Sequence, residues 1–300
     1  MYNIRNAGAK GFGVFATRAI QRGTRILAEL PTFTITSDRD LLPAFRRLSL
    51  EARKYISELS VNANKKPAIL DWSEAAYHVF RGALTTTPRS LFSINEYSTL
   101  LAAFRNNCFN IGDDRRAIFH DISRLNHSCV PNAQGNFNTA IDGFAVHATH
   151  LIESRQEITI SYLAEHGAVR SSRQAKLAQG YGFACGCPVC DGSTVKGAES
   201  EERRRVVREQ LGVFSEGEQG GREELEMMMS LIEMFEREGL AGRELGTMYL
   251  SAAESNCKLN DPVAAKECSR LGLDMEQRCL GVDSPLYRES MARMRKIRAV

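Results

Sequence analysis

The spacing of apolar side chains changes along the chain from a strand-like to a helix-like pattern. Residues 1–36 contain short β-prone runs between glycines, such as GFGVFATR at 11–18 and TRILAELPTFTI at 24–35, and these predict strands. The next segment predicts a helical insertion over about 38–106. Ser73 and the Ser93–Glu96 capping box are the expected starts of two of its helices. Its clearest helical spacing is Leu48, Ala52, Tyr55, Ile56 and Leu59.

Short strands return in the middle of the chain. Residues 108–162 contain RAIFHDIS, GFAVHAT and EITISY, each of which predicts a strand. Residues 166–184 predict a short helix that ends near Gly180 and Gly182. The run CGCPVCDG that follows is too rich in Cys and Gly for regular structure.

The last third predicts a second, all-α region. Residues 192–222 are polar and glycine-rich and predict a linker, and residues 223–300 predict helices. Asp261-Pro262 and Ser284-Pro285 each place a capping residue before a proline, which is typical of a helix start. These helices either pack around their own core or form a tetratricopeptide-like groove for a peptide partner. The sequence shows no repeat of fixed period that decides between them.

Composition and charge narrow the function classes. The chain of 300 residues is 43% hydrophobic and 25% charged, which is typical of globular domains. A net charge of +3 and the lack of a basic stripe argue against a nucleic-acid partner. We find neither a secretory signal nor a run of the ~20 apolar residues that span a bilayer, so we expect an intracellular protein with no membrane partner.

Eight cysteines in a reducing compartment favour a metal site over disulfides. Cys185, Cys187 and Cys190 form Cys-x-Cys-x-x-Cys, and tetrahedral Zn²⁺ requires one more ligand. Cys129, within RLNHSCVPNA, is the best candidate for that ligand. The alternative is a loop of three free or redox-active thiols. Cys108 is ambiguous, whereas Cys257, Cys268 and Cys279 lie in helix-like contexts that predict core positions.

Four strings in this order resemble the SET-domain protein lysine methyltransferases: GAKGFGVFATRAIQRGTRILAE, RLNHSCVPNA, QEITISYL and YGFACGCPVC. The resemblance covers about residues 8–191. The helical insertion and the helical C-terminal region make the SET–MYND branch the nearest relative. However, residues 36–106 contain no cysteine, so the MYND zinc finger is missing there and we expect a fungal-type SET protein.

The resemblance implies an α+β fold: small curved β-sheets with a pseudoknot, a helical insertion, a post-SET zinc loop at 183–191 and an all-α C-terminal region. It divides the chain into a SET domain at 1–191, the linker at 192–222 and a helical domain at 223–300. It also implies two cofactors, S-adenosyl-L-methionine and a structural Zn²⁺, and a lysine-containing protein substrate, either a histone or a non-histone protein.

The resemblance further implies roles for individual residues. Tyr162 is the expected catalytic residue, which orients the substrate amine and the methyl group; alternatively it is a packed tyrosine at a strand end. The cofactor is expected to bind Lys10, Gly11, Phe12, Gly13, Asn107, Asn126, His127, Tyr162 and Phe183. Tyr181 and Phe183 are expected to line the substrate channel, with ordinary packing as the alternative.

Three of these assignments have specific alternatives. Lys10 is either a partner of the cofactor carboxylate or a solvated lysine. The ring of His127 is expected to be architectural rather than an acid–base group. Asn107 matches the family position only weakly, and Asn106 is the alternative.

Two functions remain open from the sequence. One is S-adenosylmethionine-dependent methyl transfer to a lysine side chain, and the other is a catalytically silent SET scaffold that binds proteins. The nuclear or cytoplasmic location, the degree of methylation and the oligomeric state are not encoded in any motif. The run of arginines at 203–205 is too short for a localisation signal and indicates a solvated helix face.

Overall fold

The structure, a computed structural model, describes residues 1–62, 76–77, 94–215 and 221–298. Within these residues no helix has the length and apolar character needed to cross a membrane. The described part contains ten short strands: β1 (Tyr2–Asn6), β2 (Phe12–Ala16), β3 (Arg25–Glu29), β4 (Phe33–Ile35), β5 (Phe109–Asn110), β6 (Arg116–Ile118), β7 (Asn126–His127), β8 (Ala133–Asn138), β9 (Gly143–Ala148) and β10 (Glu157–Ile160).

The helices of the described residues fall into two groups along the chain. The first group lies in the predicted insertion and comprises α1 (Leu41–Arg46), α2 (Leu50–Ser57) and α3 (Ile94–Asn107). The second group follows β10 and comprises α4 (Arg170–Tyr181), α5 (Val195–Ser215), α6 (Arg222–Glu238), α7 (Arg243–Lys258), α8 (Pro262–Leu280) and α9 (Pro285–Arg298). Short 3₁₀ turns occupy Gly8–Lys10, Asp38–Asp40 and Ile122–Arg124. The α+β class is therefore confirmed, with small sheets and many helices.

The chain divides into two compact units. The first unit comprises Met1–Ala28, Leu125–Ala175 and Cys185–Val300, and the second comprises Glu29–Arg124 and Lys176–Ala184. The C-terminal helices thus belong to the same unit as the strands that carry RLNHSCVPNA and EITISY.

The first unit contains a four-stranded sheet in the order β1-β2-β10-β7. β2 pairs antiparallel with β10, so that Val14 faces Ile158, and both side chains are fully buried. β10 also pairs in parallel with the two-residue strand β7, with Thr159 opposite Asn126 and Ile160 opposite His127. This parallel pairing places the Asn-His motif beside the strand that leads to Tyr162, which follows two residues after Ile160.

A second sheet, β3-β9-β8, supports the C-terminal helices of the first unit. Helix α8 packs on β8 and β9, and α7 packs along α8. As predicted, Asp261 caps α8: its Oδ1 accepts the backbone N–H of Ala264 at 3.0 Å. The core of these helices is built from mostly apolar side chains, among them Ile232, Phe235, Leu245, Leu250, Ala253 and Met294.

Residues 195–215 form a helix where we predicted a polar linker. Among the described side chains of α5, the buried face includes Ser200, Arg204 and Val207, which recur at helical spacing but are mostly polar. Hydrophobic periodicity cannot reveal such a helix. The expectation that the arginines at 203–205 are all solvated is wrong for Arg204, which is fully buried, and correct for Arg205, whose side chain is 51% exposed.

The second unit combines the sheet β4-β6-β5 with α1, α2 and α3. Its core contains, among others, Phe33, Leu41, Ile56, Tyr97 and Phe104. The helix predicted from LSLEARKYISELS is confirmed as α2, and Ser49 caps it by accepting the N–H of Ala52 at 3.2 Å. Ser73 and Ser93 lie outside the described residues, as does the side chain of Glu96.

Replacing Gly135 in β8 by alanine is expected to destabilise the fold. A Cβ atom at this position would lie 2.3 Å from the ring of Phe144, which is itself buried. Relieving such a contact in a packed core costs about 1–3 kcal/mol, which would lower the urea midpoint of unfolding. The matched control is Gly180→Ala in α4, where no atom lies within 4 Å and alanine favours the helix by about 1 kcal/mol. Equal midpoints for the two variants would contradict the packing argument.

His147 is expected to make stability depend on pH. Burial, together with the neighbouring guanidinium of Arg25, lowers its pKa to about 4, while the unfolded chain titrates near 6.5. The stabilisation from the neutral ring is therefore complete above pH 6.5 and is lost as the pH falls towards 4, by about 3 kcal/mol in total. Urea titrations from pH 7 to 4.5 measure this slope. His147→Gln keeps an acceptor for Arg25 without titrating, so an unchanged slope in that variant would refute the assignment.

Candidate active site and metal centre

Tyr162 lies two residues after the end of β10 and is held by two hydrogen bonds within the first unit. Its backbone N–H donates to Nδ1 of His127 at 3.0 Å, and its hydroxyl donates to the carbonyl oxygen of Leu125 at 2.7 Å. The rings of His127 and Tyr162 lie 5.4 Å apart. Because the phenol proton is used by Leu125, the hydroxyl oxygen offers its lone pairs as acceptors towards any ligand.

His127 connects the tyrosine to the cysteine cluster. Since Nδ1 accepts a hydrogen bond from Tyr162, the ring proton lies on Nε2, which donates to Sγ of Cys129 at 3.3 Å. Burial lowers the pKa of His127 to about 4, so the ring is neutral near pH 7. Both ring nitrogens are thus engaged in holding other residues, which fits the architectural role expected for His127.

Asn126 joins the glycine-rich turn to β10. Its amide nitrogen donates to the carbonyl oxygen of Phe12 at 3.1 Å and to Glu157 Oε1 at 2.8 Å. Lys10 Nζ donates to the other oxygen of Glu157 at 2.7 Å. A Cβ atom at Gly13 would lie 2.8 Å from Glu157 Oε1 and 2.9 Å from the Asn126 amide, so this network requires glycine at position 13. The sequence predicted Lys10, Gly13 and Asn126 but missed Glu157, which links them.

The turn before β2 is open to solvent. Gly11 adopts a φ of +78°, and an added Cβ would meet no atom within 4 Å. The side chains of Lys10 and Phe12 on either side are both 52% exposed. The backbone at Gly11 is therefore open to close approach at this point of the turn.

The four predicted sulfur ligands converge. The Sγ atoms of Cys129, Cys185, Cys187 and Cys190 all lie within 4.8 Å of one another, and all four cysteines are free of disulfides. Sγ of Cys129 is 3.5 Å from that of Cys190 and 3.9 Å from that of Cys185. A tetrahedral Zn²⁺ with Zn–S bonds of about 2.3 Å places its sulfurs about 3.8 Å apart, so the cluster has the size of a zinc site.

Helix α4 positions the three-cysteine loop through two residues that the sequence analysis missed. The amide of Gln174 donates to the carbonyl oxygen of Cys185 at 2.7 Å and accepts its N–H at 2.9 Å. Arg173, which is 1% exposed, donates to Sγ of Cys190 at 3.5 Å and to the carbonyl oxygen of Val189 at 3.3 Å. An Arg-Gln pair on a polar helix carries no motif, so no signal in the single sequence identifies them.

The second asparagine of RLNHSCVPNA acts on the backbone of β10. Oδ1 of Asn132 accepts the N–H of Thr159 at 2.8 Å, and its amide donates to the carbonyl oxygen of Glu157 at 2.9 Å. Its own carbonyl oxygen accepts the N–H of Thr149 at 2.9 Å. Asn132 therefore replaces a missing strand partner and holds the segment that leads to Tyr162.

The remaining predicted site residues lie in the second unit. The amide of Asn107 donates to the carbonyl oxygens of Ser60 and Ala103, each at 2.7 Å, whereas Oδ1 of Asn106 is buried with no hydrogen-bond partner among the described residues. The rings of Tyr181 and Phe183 lie 6.5 Å apart, and burial raises the pKa of Tyr181. The roles of Asn107, Tyr181 and Phe183 stay predictions, as does the choice between Asn107 and Asn106.

Glu29, His120 and Asp121 form another group in the second unit whose ligand atoms lie within 4.8 Å. However, both carboxylate oxygens of Glu29 already accept backbone N–H groups, from Asp121 at 3.0 and 3.1 Å and from Ile122 at 3.1 Å. The carboxylate of Glu29 thus caps the 3₁₀ turn Ile122–Arg124.

Comparison with known proteins gives the chain its family. The family described as SET domain matches residues 11–163, just over half of the chain. Histone-lysine N-methyltransferase set5 of Schizosaccharomyces pombe is 28% identical over 190 residues, which are 63% of this chain and 50% of that protein. Protein-lysine N-trimethyltransferase SMYD5 of Homo sapiens is 43% identical over 72 residues, which are 23% of this chain and 17% of that protein.

One solved structure, titled "Crystal structure of the SET domain of LSMT bound to Lysine and AdoHcy", aligns with 98% of this chain and 86% of that chain at 10% identity. Its TM-score is 0.40, so the family assignment rests on the sequence match. The chain spans about half or less of the length of the curated relatives described above. With the SET domain matched over 11–163, and with Asn126, His127 and Tyr162 brought together inside that range, the chain belongs to the SET-domain family.

Proposed function

We propose that the chain is an S-adenosylmethionine-dependent methyltransferase that acts on a lysine side chain of a protein. The observation that carries this proposal is the position of Tyr162 beside Asn126 and His127, with its hydroxyl proton donated to Leu125. The names of the curated relatives, which are protein-lysine and histone-lysine methyltransferases, support the same reaction.

The residues of the glycine-rich turn fit the proposed cofactor. Gly11 allows close approach to the backbone, and Gly13 leaves room for the Asn126 amide. The ammonium of Lys10, which pairs with the carboxylate of Glu157 at 2.7 Å, has the charge that suits the carboxylate of the cofactor. In this proposal Lys10, Gly11, Phe12, Gly13, Asn126, His127 and Tyr162 hold the cofactor, together with Asn107 and Phe183. When bound, S-adenosylmethionine supplies an electrophilic methyl group on a sulfonium.

The protein must present the substrate lysine as a neutral amine. The ordinary pKa of lysine is about 10.4, so deprotonation at pH 7 costs about 4–5 kcal/mol. A narrow channel that excludes water disfavours the ammonium and reduces this cost, and Tyr181 and Phe183 are the aromatic side chains proposed to line it. Holding the amine in line with the methyl group supplies much of the remaining acceleration.

Tyr162 contributes by accepting hydrogen bonds. Because its own proton is donated to the Leu125 carbonyl at 2.7 Å, its oxygen can accept an N–H of the amine and so aim the nitrogen lone pair. The same oxygen can accept weak C–H hydrogen bonds from a methyl group that carries partial positive charge. Tyr162 is thus an orienting group and not a general base.

We further propose that Cys129, Cys185, Cys187 and Cys190 bind one structural Zn²⁺. The sulfur separations of 3.5 and 3.9 Å and the four free thiols support this. The metal would fasten the post-SET loop to the segment that carries Asn126 and His127. It would hold these residues in place without taking part in methyl transfer.

The substrate is proposed only by class, as a lysine-containing histone or non-histone protein. The C-terminal helices are proposed as a peptide-binding surface, and a silent scaffold that binds proteins is the competing function. The two functions differ in one measurable property, since a scaffold does not transfer methyl groups.

Tyr162→Phe is expected to reduce methyl transfer about 10²- to 10³-fold, because it removes the oxygen that aims the amine. The measurement uses tritiated cofactor with a histone mixture and a lysine peptide array, and calorimetry checks that the cofactor product still binds. Tyr287→Phe is the matched control. It removes a hydroxyl group on α9 that donates to Gln277, and it should leave methyl transfer unchanged. Equal activity in wild type and Tyr162→Phe contradicts the proposed role. Absence of both transfer and cofactor binding in wild type favours the scaffold.

Cys190→Ser is expected to reduce the zinc content below one ion per chain and to lower the midpoint temperature of thermal unfolding. A structural zinc contributes a binding free energy on the order of 10 kcal/mol, which is lost with a ligand. Elemental analysis and a thermal melt, with and without a chelator, measure both effects. Cys257→Ser in α7 is the control and should retain the metal. Wild-type protein that contains no zinc and melts identically with chelator would refute the site.

A further inference from the structure

Two guanidinium groups are buried in the first unit and have no part in the proposed chemistry. Arg204 on α5 is fully buried, and Arg173 on α4 is 1% exposed. A buried charge is stable only when it is paired and hydrogen-bonded. Each of these arginines therefore needs an anionic partner.

Arg204 has a carboxylate partner. Its Nη2 lies 3.1 Å and its Nε 3.2 Å from Oε2 of Glu238, whose side chain is fully buried. Ser200 donates to the same oxygen at 2.5 Å, and Arg203 donates to the other oxygen at 2.6 Å. The charge of Arg204 is thereby neutralised within α5 and α6.

Arg173 has a different set of partners. It donates to the carbonyl oxygens of Ala168 and Val189 and to Sγ of Cys190, and its Nε has no hydrogen-bond partner. Within residues 1–62, 94–215 and 221–298, no carboxylate forms an ion pair with Arg173. The sulfur cluster is the anion that remains for it.

The charge of that cluster depends on its metal. Four thiolates around Zn²⁺ carry a net charge of −2, whereas four protonated thiols carry none. Only the metal-bound state offers the buried guanidinium a full negative partner. Hydrogen bonds to ligating sulfurs also tune a metal site.

We propose that Arg173 is the outer-sphere counter-cation of the metal centre formed by Cys129, Cys185, Cys187 and Cys190. This inference rests on the zinc site proposed above. It assigns Arg173 a positioning role: its guanidinium donates to Cys190 and lowers the charge density on the thiolates.

The geometry also connects this cation to the C-terminal helices. The carbonyl oxygen of Ala168 accepts hydrogen bonds from both Arg173 and Arg204, and Arg204 also donates to the carbonyl oxygen of His166. Because Glu238 fixes Arg204, helices α5 and α6 help to hold the segment on which Arg173 depends.

The experiment compares full-length Arg173→Gln and Arg173→Lys with wild type by competition of bound zinc against a chromophoric chelator. Arg173→Gln is expected to weaken zinc binding about 10- to 100-fold, as is typical when an outer-shell partner is removed. In cobalt-substituted protein, the sulfur-to-cobalt charge-transfer band should move to longer wavelength, since the sulfurs become better electron donors. Arg173→Lys keeps the positive charge but loses the planar guanidinium group with its several N–H donors. Its zinc affinity and cobalt band should therefore lie between those of Arg173→Gln and wild type. Arg205→Gln, on the exposed face of α5, is the control and should match wild type.

Each outcome separates this inference from the zinc proposal. Wild-type protein that binds no zinc refutes the metal site and this inference with it. Wild-type protein that binds zinc, with Arg173→Gln folded by circular dichroism, equal in affinity and unshifted in its cobalt band, overturns the role of Arg173 alone. If Arg173→Gln does not fold, Arg173→Met, which has no charge but a side chain of similar length, decides in the same way: a weaker affinity with a shifted band supports the role, and identity with wild type overturns it.

Discussion

The site of the first unit depends on a single imidazole ring. Nδ1 of His127 accepts the backbone N–H of Tyr162, and Nε2 donates to Sγ of Cys129. The parallel pairing of β7 with β10 makes this possible, since it puts Ile160 opposite His127 two residues before the tyrosine. One neutral ring makes both hydrogen bonds, to Sγ of Cys129 and to the backbone N–H of Tyr162. A displacement of Cys129 would therefore move the ring and, with it, the backbone of Tyr162. The cysteine cluster and the backbone of Tyr162 are therefore mechanically coupled through His127.

Polar groups also hold the C-terminal helices to the rest of the first unit. The pair formed by Arg204 and Glu238 is fully buried, and an apolar pair of similar volume would often be equally stable or more so. What an apolar pair cannot do is donate hydrogen bonds to the carbonyl oxygens of His166 and Ala168, as Arg204 does. The buried charges thus fix the chain between β10 and α4, a segment that has no strand or helix of its own.

The sequence predicts those parts of the molecule whose signal is local. Residues close together in the sequence predict the short strands, the cap at Asp261 and the cysteine loop with Cys185, Cys187 and Cys190. The four ordered strings identify the family. Helix α5 escapes detection because the buried face of its described part carries Ser200 and Arg204, and hydrophobic periodicity does not recognise a polar face. Glu157, Arg173 and Gln174 escape for another reason: their partners lie far away along the chain or on backbone atoms, where no residue pattern records them.

The proposed methyl transfer places two demands on the chain, and the proposal assigns different parts of the chain to each. The amine must react in its neutral form, which a channel that excludes water favours. Tyr162 is not assigned as the base, because its phenol is committed to Leu125 as a donor. The amine must then point at the methyl group, and misplacement of reacting atoms by about 1 Å can reduce the rate about 10²-fold. Asn132 and His127 fix β10 and the backbone of Tyr162 through hydrogen bonds of 2.8 to 3.0 Å, so the positioning of this oxygen is built into the sheet itself.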